Sequence, residues 1–276
     1  MTLLRARLAV AGVVILSGML VLAVGGPALA GGDPNELNLV DRLQPPLVFG
    51  GSSAHPLGTD GLGRDILRRV ALGARISLAV AASAVTISCV LGVASGLVAG
   101  YFGGLVDDII MRLADVQLAF PAIILFIGVL AALGPGVGNL IAVLGVSGWV
   151  LYARVVRGET LSLREREFVV AARAIGAPHS RVIARHVLPN VIAPVIVLAT
   201  FSAAGVVIAE ASLSFLGLGV PATVASWGSM LADSQETLRL AWWPATVPGL
   251  AIMLTAFSVN SLGDWLREYF DPRMRV

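Results

Sequence analysis

RVVRGETLSLREREFVVAARAIGAPHSRVIARHVLPN, residues 154–190, is an arginine-rich stretch set between two long apolar runs. It holds seven of the chain's 19 basic residues: Arg154, Arg157, Arg164, Arg166, Arg173, Arg181 and Arg185. The apolar mass on either side is divided into runs of about 20 residues, and at about 1.5 Å rise each such a run crosses the ~30 Å hydrocarbon core of a bilayer. A short basic segment between two spans is retained on the cytoplasmic side. With Ala-Ala and Gly at its centre the segment reads as structured, and a structured loop there suggests a docking partner. The chain is therefore expected to be all-α and polytopic, with a helical loop on the cytoplasmic face.

Composition agrees. The 276 residues are 57% hydrophobic and 13% charged, against about 25% charged in a soluble domain. The net charge of +2 is too small to argue for nucleic acid. Cys89 is the single cysteine, which excludes an internal disulfide or a cysteine-built metal site, and a small buried hydrophobe is its expected role.

Six spans are expected, at residues 8–30, 76–100, 116–133, 137–153, 191–209 and 242–263, with both termini cytoplasmic and residues 31–75 and 210–241 outside. The arrangement places 13 arginines inside and six outside (Arg42, Arg64, Arg68, Arg69, Arg75 and Arg239). Tyr101, Trp149 and Tyr152 are read as aromatic anchors inside, Trp242 and Trp243 outside, and Trp265 and Tyr269 inside. Pro121, Pro194, Pro244 and Pro248 are expected near span ends, where a lost backbone hydrogen bond matters least. Arg5, Arg7 and the Ala28-Leu29-Ala30 triplet also resemble a signal peptide, but the apolar run exceeds the roughly 7–15 residues of such a core, so a retained span is expected. The chain divides at 75/76 into an N-terminal helix with an outer amphipathic segment (1–75) and a core (76–276). Between Thr59 and Arg75 a short amphipathic helix should turn Ile66, Leu67 and Val70 to lipid and Arg64, Arg68 and Arg75 to water.

Gly92, Gly96 and Gly100 stand at four-residue intervals on one helix face and permit close approach of a neighbouring helix, within the chain rather than as a dimer motif. Few ionisable residues fall in the spans, Glu210 being nearest to an exception, which counts against an ion-driven carrier. With no lysine the chain lacks the phosphate-loop Lys of a Walker ATPase. His55, His179 and His186 all lie in loops, and no zinc motif is present. Gly145-Val146-Ser147-Gly148 resembles the GxSG of intramembrane rhomboid proteases, yet no span offers the histidine base such a serine needs, and small-residue packing explains it. No catalytic or metal site is expected.

Within the basic loop, Ser162 and Glu165 have capping-box spacing, so a helix should start near Leu163, run through Glu167, Phe168, Ala171 and Ala172, and stop at Gly176. Pro178 suits the start of a second short helix reaching about Val187, before Leu188-Pro189. From these residues alone, a docking surface and a self-packed amphipathic hairpin fit equally.

Ala171, Ala172, Gly176, Leu188 and Pro189 resemble the EAA loop of permease subunits from binding-protein-dependent ABC importers, with Val170 at the usual glutamate position and His186 at an isoleucine. HPLGTDGLGRDILRRVALGARISL (55–78), GYFGGLVDDIIMRLAD (100–115), LSFLGLGV (213–220), SWGSML (226–231) and PGLAIMLTAFSVNSLGDWLREYFDPR (248–273) are similar to the C-type subunit of the dipeptide/oligopeptide permease family. The proline-rich run usual before SWG is reduced here to residues 221–225. The resemblance implies a type I ABC importer permease in a bacterial inner membrane. It would import di- or oligopeptides, with a nickel or glutathione system as the alternative. It further implies a second homologous permease subunit, two ATPase domains that hold the ATP and magnesium, and an extracytoplasmic solute-binding protein. Under it, Glu167, Ala171, Ala172, Arg173, Gly176, Arg181, His186, Leu188 and Pro189 form the ATPase-coupling loop. Thr200, Ser202, Ala203, Ala204 and Gly205 are candidates to line the substrate path, with helix packing as their plain alternative.

Overall fold

The computed structural model describes residues 3–29, 32–221 and 223–270. Among them are eleven α-helices and no strand: α1 (Leu3–Leu29), α2 (Ile66–Phe102), α3 (Gly104–Leu118), α4 (Ala122–Leu133), α5 (Val137–Ser147), α6 (Trp149–Arg164), α7 (Glu167–Ala174), α8 (His179–Val182), α9 (Leu188–Phe215), α10 (Trp227–Ser234) and α11 (Trp243–Phe270). Five segments are long and apolar enough to span a membrane: Arg7–Gly26, Ile66–Phe102, Val137–Arg164, His179–Phe215 and Trp243–Phe270. A sixth forms if α3 and α4 are counted together, but these meet at 86°. Pro121 stands at the break as the residue before α4, and having no N–H it starts a helix more readily than it continues one. The straight span expected at 116–133 is thus a bent one. Arg273, Arg275, Ala30 and the side chains of Arg5, Ala28 and Leu29 lie outside the described residues.

α2 is the axis of the molecule, packing against α1, α5, α6 and α9. The glycine interval is its seam with α6. A Cβ at Gly96 would stand 2.6 Å from Ala153 O and 2.8 Å from Val156 Cβ, and one at Gly100 2.7 Å from Thr160 Cβ. One at Gly92 would collide with Trp149 O and Tyr152 Cβ. The face is spent inside the chain, as expected. Gly145 and Gly148 do the same for α2 and the α5–α6 joint, packing on Ile87 and Ser88, and Ser88 Oγ donates to Gly145 O at 2.7 Å.

The outer end of α2 departs from expectation. No separate amphipathic helix forms in 59–75; α2 begins at Ile66, capped by Asp65 Oδ1 on the Arg68 N–H at 2.9 Å, and crosses the 75/76 boundary unbroken. Ile66 and Val70 do not face lipid but pack with Ala23, Val207 and Trp227. Arg75 is exposed, yet Arg64 is buried with Arg69. Arg64 Nε and Arg69 Nη1 each lie 2.7 Å from Asp60 Oδ2, and their Nη2 atoms reach Asp233 Oδ2 at 2.8 and 3.0 Å. A buried guanidinium persists where carboxylates pair with it, and here the pairing ties the outer segment to α10.

Further corrections concern α6, α9 and α11. The fourth span runs to Arg164 rather than 153, so Ser162 and Glu165 start no helix; Ser162 lies in the last turn of α6 and Glu165 is its C-cap. Trp149 and Tyr152 therefore sit mid-span instead of anchoring an end: Trp149 Nε1 donates to Gln117 Oε1 at 2.8 Å, and Tyr152 is fully buried. Arg154 and Arg157 ride on α6 and pair with Asp115 and Asp107 of α3. Pro194 lies well inside the His179–Phe215 span rather than near its end, whereas Pro248 lies inside α11 but within its second turn, toward the span's start. Glu210 is wholly buried on α9, accepting hydrogen bonds from Ser77 Oγ of α2 and Ser214 Oγ, both at 2.9 Å.

Candidate functional site

The segment after α6 folds into an elbow. Arg166 takes an extended conformation (φ −72°, ψ 143°), which ends the α6 direction, and α7 follows with Glu167 in its first turn, where an acid suits the helix dipole. α7 closes with a Schellman motif: the Ala177 N–H donates to Ala172 O at 3.1 Å and the Gly176 N–H to Arg173 O at 3.0 Å. That closure demands a left-handed residue, and Gly176 supplies it at φ +82°. Pro178, extended, precedes α8 and accepts from the Arg181 N–H at 2.9 Å.

The expected break at Leu188-Pro189 is absent. α8 passes through one π turn, Ile183–Val187, straight into α9. Pro189 has no N–H for Arg185 O and its ring crowds that carbonyl, so the turn widens and the helix continues. The elbow and the fifth span are one helical rod from His179 to Phe215.

The inner face of the elbow, Val169, Ala172, Val182 and Val187, packs on Leu97 and Tyr101 of α2 and Tyr152 and Val156 of α6. The outer face presents Val170, Ala171, Ala174 and Ile175, the last 85% exposed at the tip, with Glu167, Arg166, Arg173, Arg181 and Arg185 around them. The exposed side thus combines apolar residues with four exposed arginines, Arg166, Arg173, Arg181 and Arg185. Phe168, partly exposed, lies over the ring of His186 at 6.4 Å and closes the elbow on itself.

Of the expected loop residues, Glu167, Ala171, Arg173, Gly176 and Arg181 share the exposed side, and Pro189 is exposed in the first turn of α9. Ala172 differs: at 7% exposure it is inside the chain's own core, where its small size admits α2 and Val182. Leu188 is half-buried against the same core, and His186 lies under Phe168. Ile175 was not singled out from sequence, although an isoleucine just before a helix-stopping glycine is a signal that could have found it; Val170 was noted only as standing at the usual glutamate position.

The five small residues on α9 do not share one face, since six consecutive helical positions turn through more than a full revolution. Ala204 is buried, Thr200 meets Gly263 of α11, and Gly205 is exposed with nothing within 4 Å of a Cβ placed there. Ser147 has no histidine beside it in the described contacts: His55 Nδ1 lies 2.8 Å from Asp65, and His179 Nδ1 2.9 Å from Tyr101 Oη. Among the described residues no three His, Cys, Asp or Glu side chains are grouped to hold a metal ion.

Residues 92–276, which contain the elbow and its rod, match the family described as binding-protein-dependent transport system inner membrane component. The chain belongs to that family. Residues 1–46 match the N-terminal TM domain of oligopeptide transport permease C. The permease is 40% identical to a dipeptide transport system permease protein of Alkalihalophilus pseudofirmus, over 98% of this chain and 87% of that one. It is 38% identical to a glutathione transport system permease protein of Pectobacterium atrosepticum, over 99% of this chain and 89% of that one. Its fold is that of a chain of the MetNI methionine ABC transporter solved in inward-facing conformations, with a TM-score of 0.58 at 18% identity, covering 72% of this chain and 95% of that chain. It is a multi-pass membrane permease of the dipeptide/oligopeptide ABC importer group.

Proposed function

We propose that this permease forms half of the translocation pathway of an ATP-driven importer for di- and oligopeptides in a bacterial inner membrane. ATP and magnesium are held by two separate ATPase domains that dock on the elbow from the cytoplasm. A second homologous permease subunit completes the pathway, an extracytoplasmic binding protein delivers the peptide, and both termini lie inside. The observation that carries this reading is the elbow. An elbow with exposed apolar residues and arginines, closed by a Schellman turn and continuous with a 37-residue helix, suits transmission of a push from a docked partner. Rigid-body motion of such a rod switches access across the membrane. Among the five small residues of α9, Gly205 is the best placed for the pathway, being exposed with open space around it.

A second reading, glutathione uptake, is favoured by the likeness to a glutathione permease. Deletion of the gene separates the two. Loss of uptake of a labelled dipeptide, with resistance to a toxic one, supports peptide import. Retained dipeptide uptake with lost glutathione uptake moves the assignment to the second reading, and retention of both rejects the transport role for either.

A further inference from the structure

We infer that Tyr101 and His179 form a positioning pin through which the elbow drives α2 as well as α9. The inference rests on the elbow being the ATPase-facing surface. α9 receives displacement directly, because the chain is helical from His179 to Phe215. Tyr101, at the end of α2, is 78 residues from His179 along the chain. Yet Tyr101 Oη and His179 Nδ1 share a hydrogen bond of 2.9 Å. The His179 ring also stands edge-on to Tyr101 at 5.5 Å and to Phe102 at 5.8 Å. Tyr101 is itself held in the core by Leu97, Val169 and Val182. His179 is the first residue of α8 and of the rod, immediately past the Gly176 reversal and Pro178, so displacement of the elbow tip enters the rod through it.

The valine layer beneath the elbow cannot do this alone. Apolar contact is non-directional and lets one helix slide along another, whereas a hydrogen bond between rings fixed by edge-on contacts sets a register. Toward its other end α2 is pinned to the same His179–Phe215 rod through Ser77 Oγ, which donates to Glu210 at 2.9 Å. α2 and the rod are therefore fastened to each other at two separated points and move as one frame. Displacement entering at Tyr101 travels along an unbroken 37-residue helix to Arg69 and its carboxylates at the outer face.

The test measures peptide imported per ATP hydrolysed, in proteoliposomes holding the complete complex with its ATPases, second permease and binding protein. Tyr101→Phe keeps the ring and loses the hydroxyl; His179→Ala loses the partner. Each should lower the ratio about threefold or more, in the range that contacting residues show in double-mutant cycles. Tyr101→Phe should still co-purify with the ATPases, and the double variant should be no worse than the worse single one. Additive losses, or single variants at the wild-type ratio, overturn the pin. A second measurement uses Tyr101→Cys with His179→Cys on a Cys89→Ser background, bridged by a short bis-methanethiosulfonate, which forms a disulfide with each cysteine and releases methanesulfinate. Bridging should restore the ratio lost in the unbridged form; abolished import on bridging would mean that the elbow slides on α2, against the inference. A wild-type complex that imports without ATP hydrolysis overturns the elbow reading and the pin together, whereas an additive cycle in a coupled wild type overturns the pin alone.

Discussion

Gly96 carries no side chain because α6 leaves no room for one. Its missing Cβ would press against backbone, Ala153 O at 2.6 Å, and against the branched Val156 at 2.8 Å, neither of which is the far end of a flexible chain. Gly96→Val should therefore split the seam, costing about 1–3 kcal/mol or more through forced shifts in a packed core. Gly158, on the exposed side of α6 with nothing within 4 Å, is the control. Gly158→Ala should hold or gain stability, since Ala exceeds Gly in a helix by about 1 kcal/mol. Thermal unfolding of the detergent-solubilised chain reads both, and equal midpoints for the two variants would show that the interval does not set the α2–α6 distance. The same scale explains the outer arginines. Arg69, 1% exposed, and Arg64 stay buried because Asp60 and Asp233 accept from both, so truncating Asp60 would leave two buried guanidinium groups each short of a carboxylate.

At the scale of the element, the elbow separates two alanines that sequence presents as equals. Ala171 is exposed on the outer face, and Ala172 is sealed beneath it at 7% exposure. Ala172→Asp places an unpaired charge in the chain's own core, a cost of several kcal/mol, and should lower the amount of folded permease in the membrane. Ala171→Asp should leave that amount unchanged, while ATP hydrolysis by the complex stops responding to the loaded binding protein. Gly176→Val should do the same by another route, because φ +82° strains a β-branched residue by about 1 kcal/mol or more with no clash. An Ala171→Asp complex that imports at the wild-type rate would mean that partners do not dock on this face. The two helices and their glycine stop were legible in residue type alone, since Ala-Ala favours helix and glycine at that spacing ends one. Which alanine faces inward was not, because the pair offers no polar contrast. Likewise the Ser162–Glu165 spacing mimics a cap, yet tertiary packing of α6 on α2 carries the helix past it to Arg164. The bend between α3 and α4 was hidden inside one apolar run, where Pro121 looked like a residue near a span end. The buried Arg69 was hidden for a different reason: its second carboxylate, Asp233, lies 164 residues away.

For the whole molecule, the remaining question is which way the bundle faces. The inside-positive bias is imperfect, because five of the six arginines assigned outside lie in the first outer segment or the start of α2. The fold supplies a reason for the exception. Arg64 and Arg69 are structural, locked into the cluster that joins the first outer segment to α10, and Arg68 lies 3.8 Å from Glu36. They are kept for folding although they weigh against insertion. The arginines of the elbow have no such role: Arg166, Arg173, Arg181 and Arg185 are all exposed, so nothing in the fold opposes their retention on the cytoplasmic side. The arrangement therefore predicts that the elbow is inside and the segment around Ser53 outside. On a Cys89→Ala background, Ser53→Cys should react with a membrane-impermeant maleimide added to intact cells. Ser162→Cys, exposed on the last turn of α6, should react only after the membrane is opened. Labelling of both from one side would break the six-crossing arrangement. Labelling in the reverse order would invert it, placing the elbow beyond the reach of any cytoplasmic ATPase.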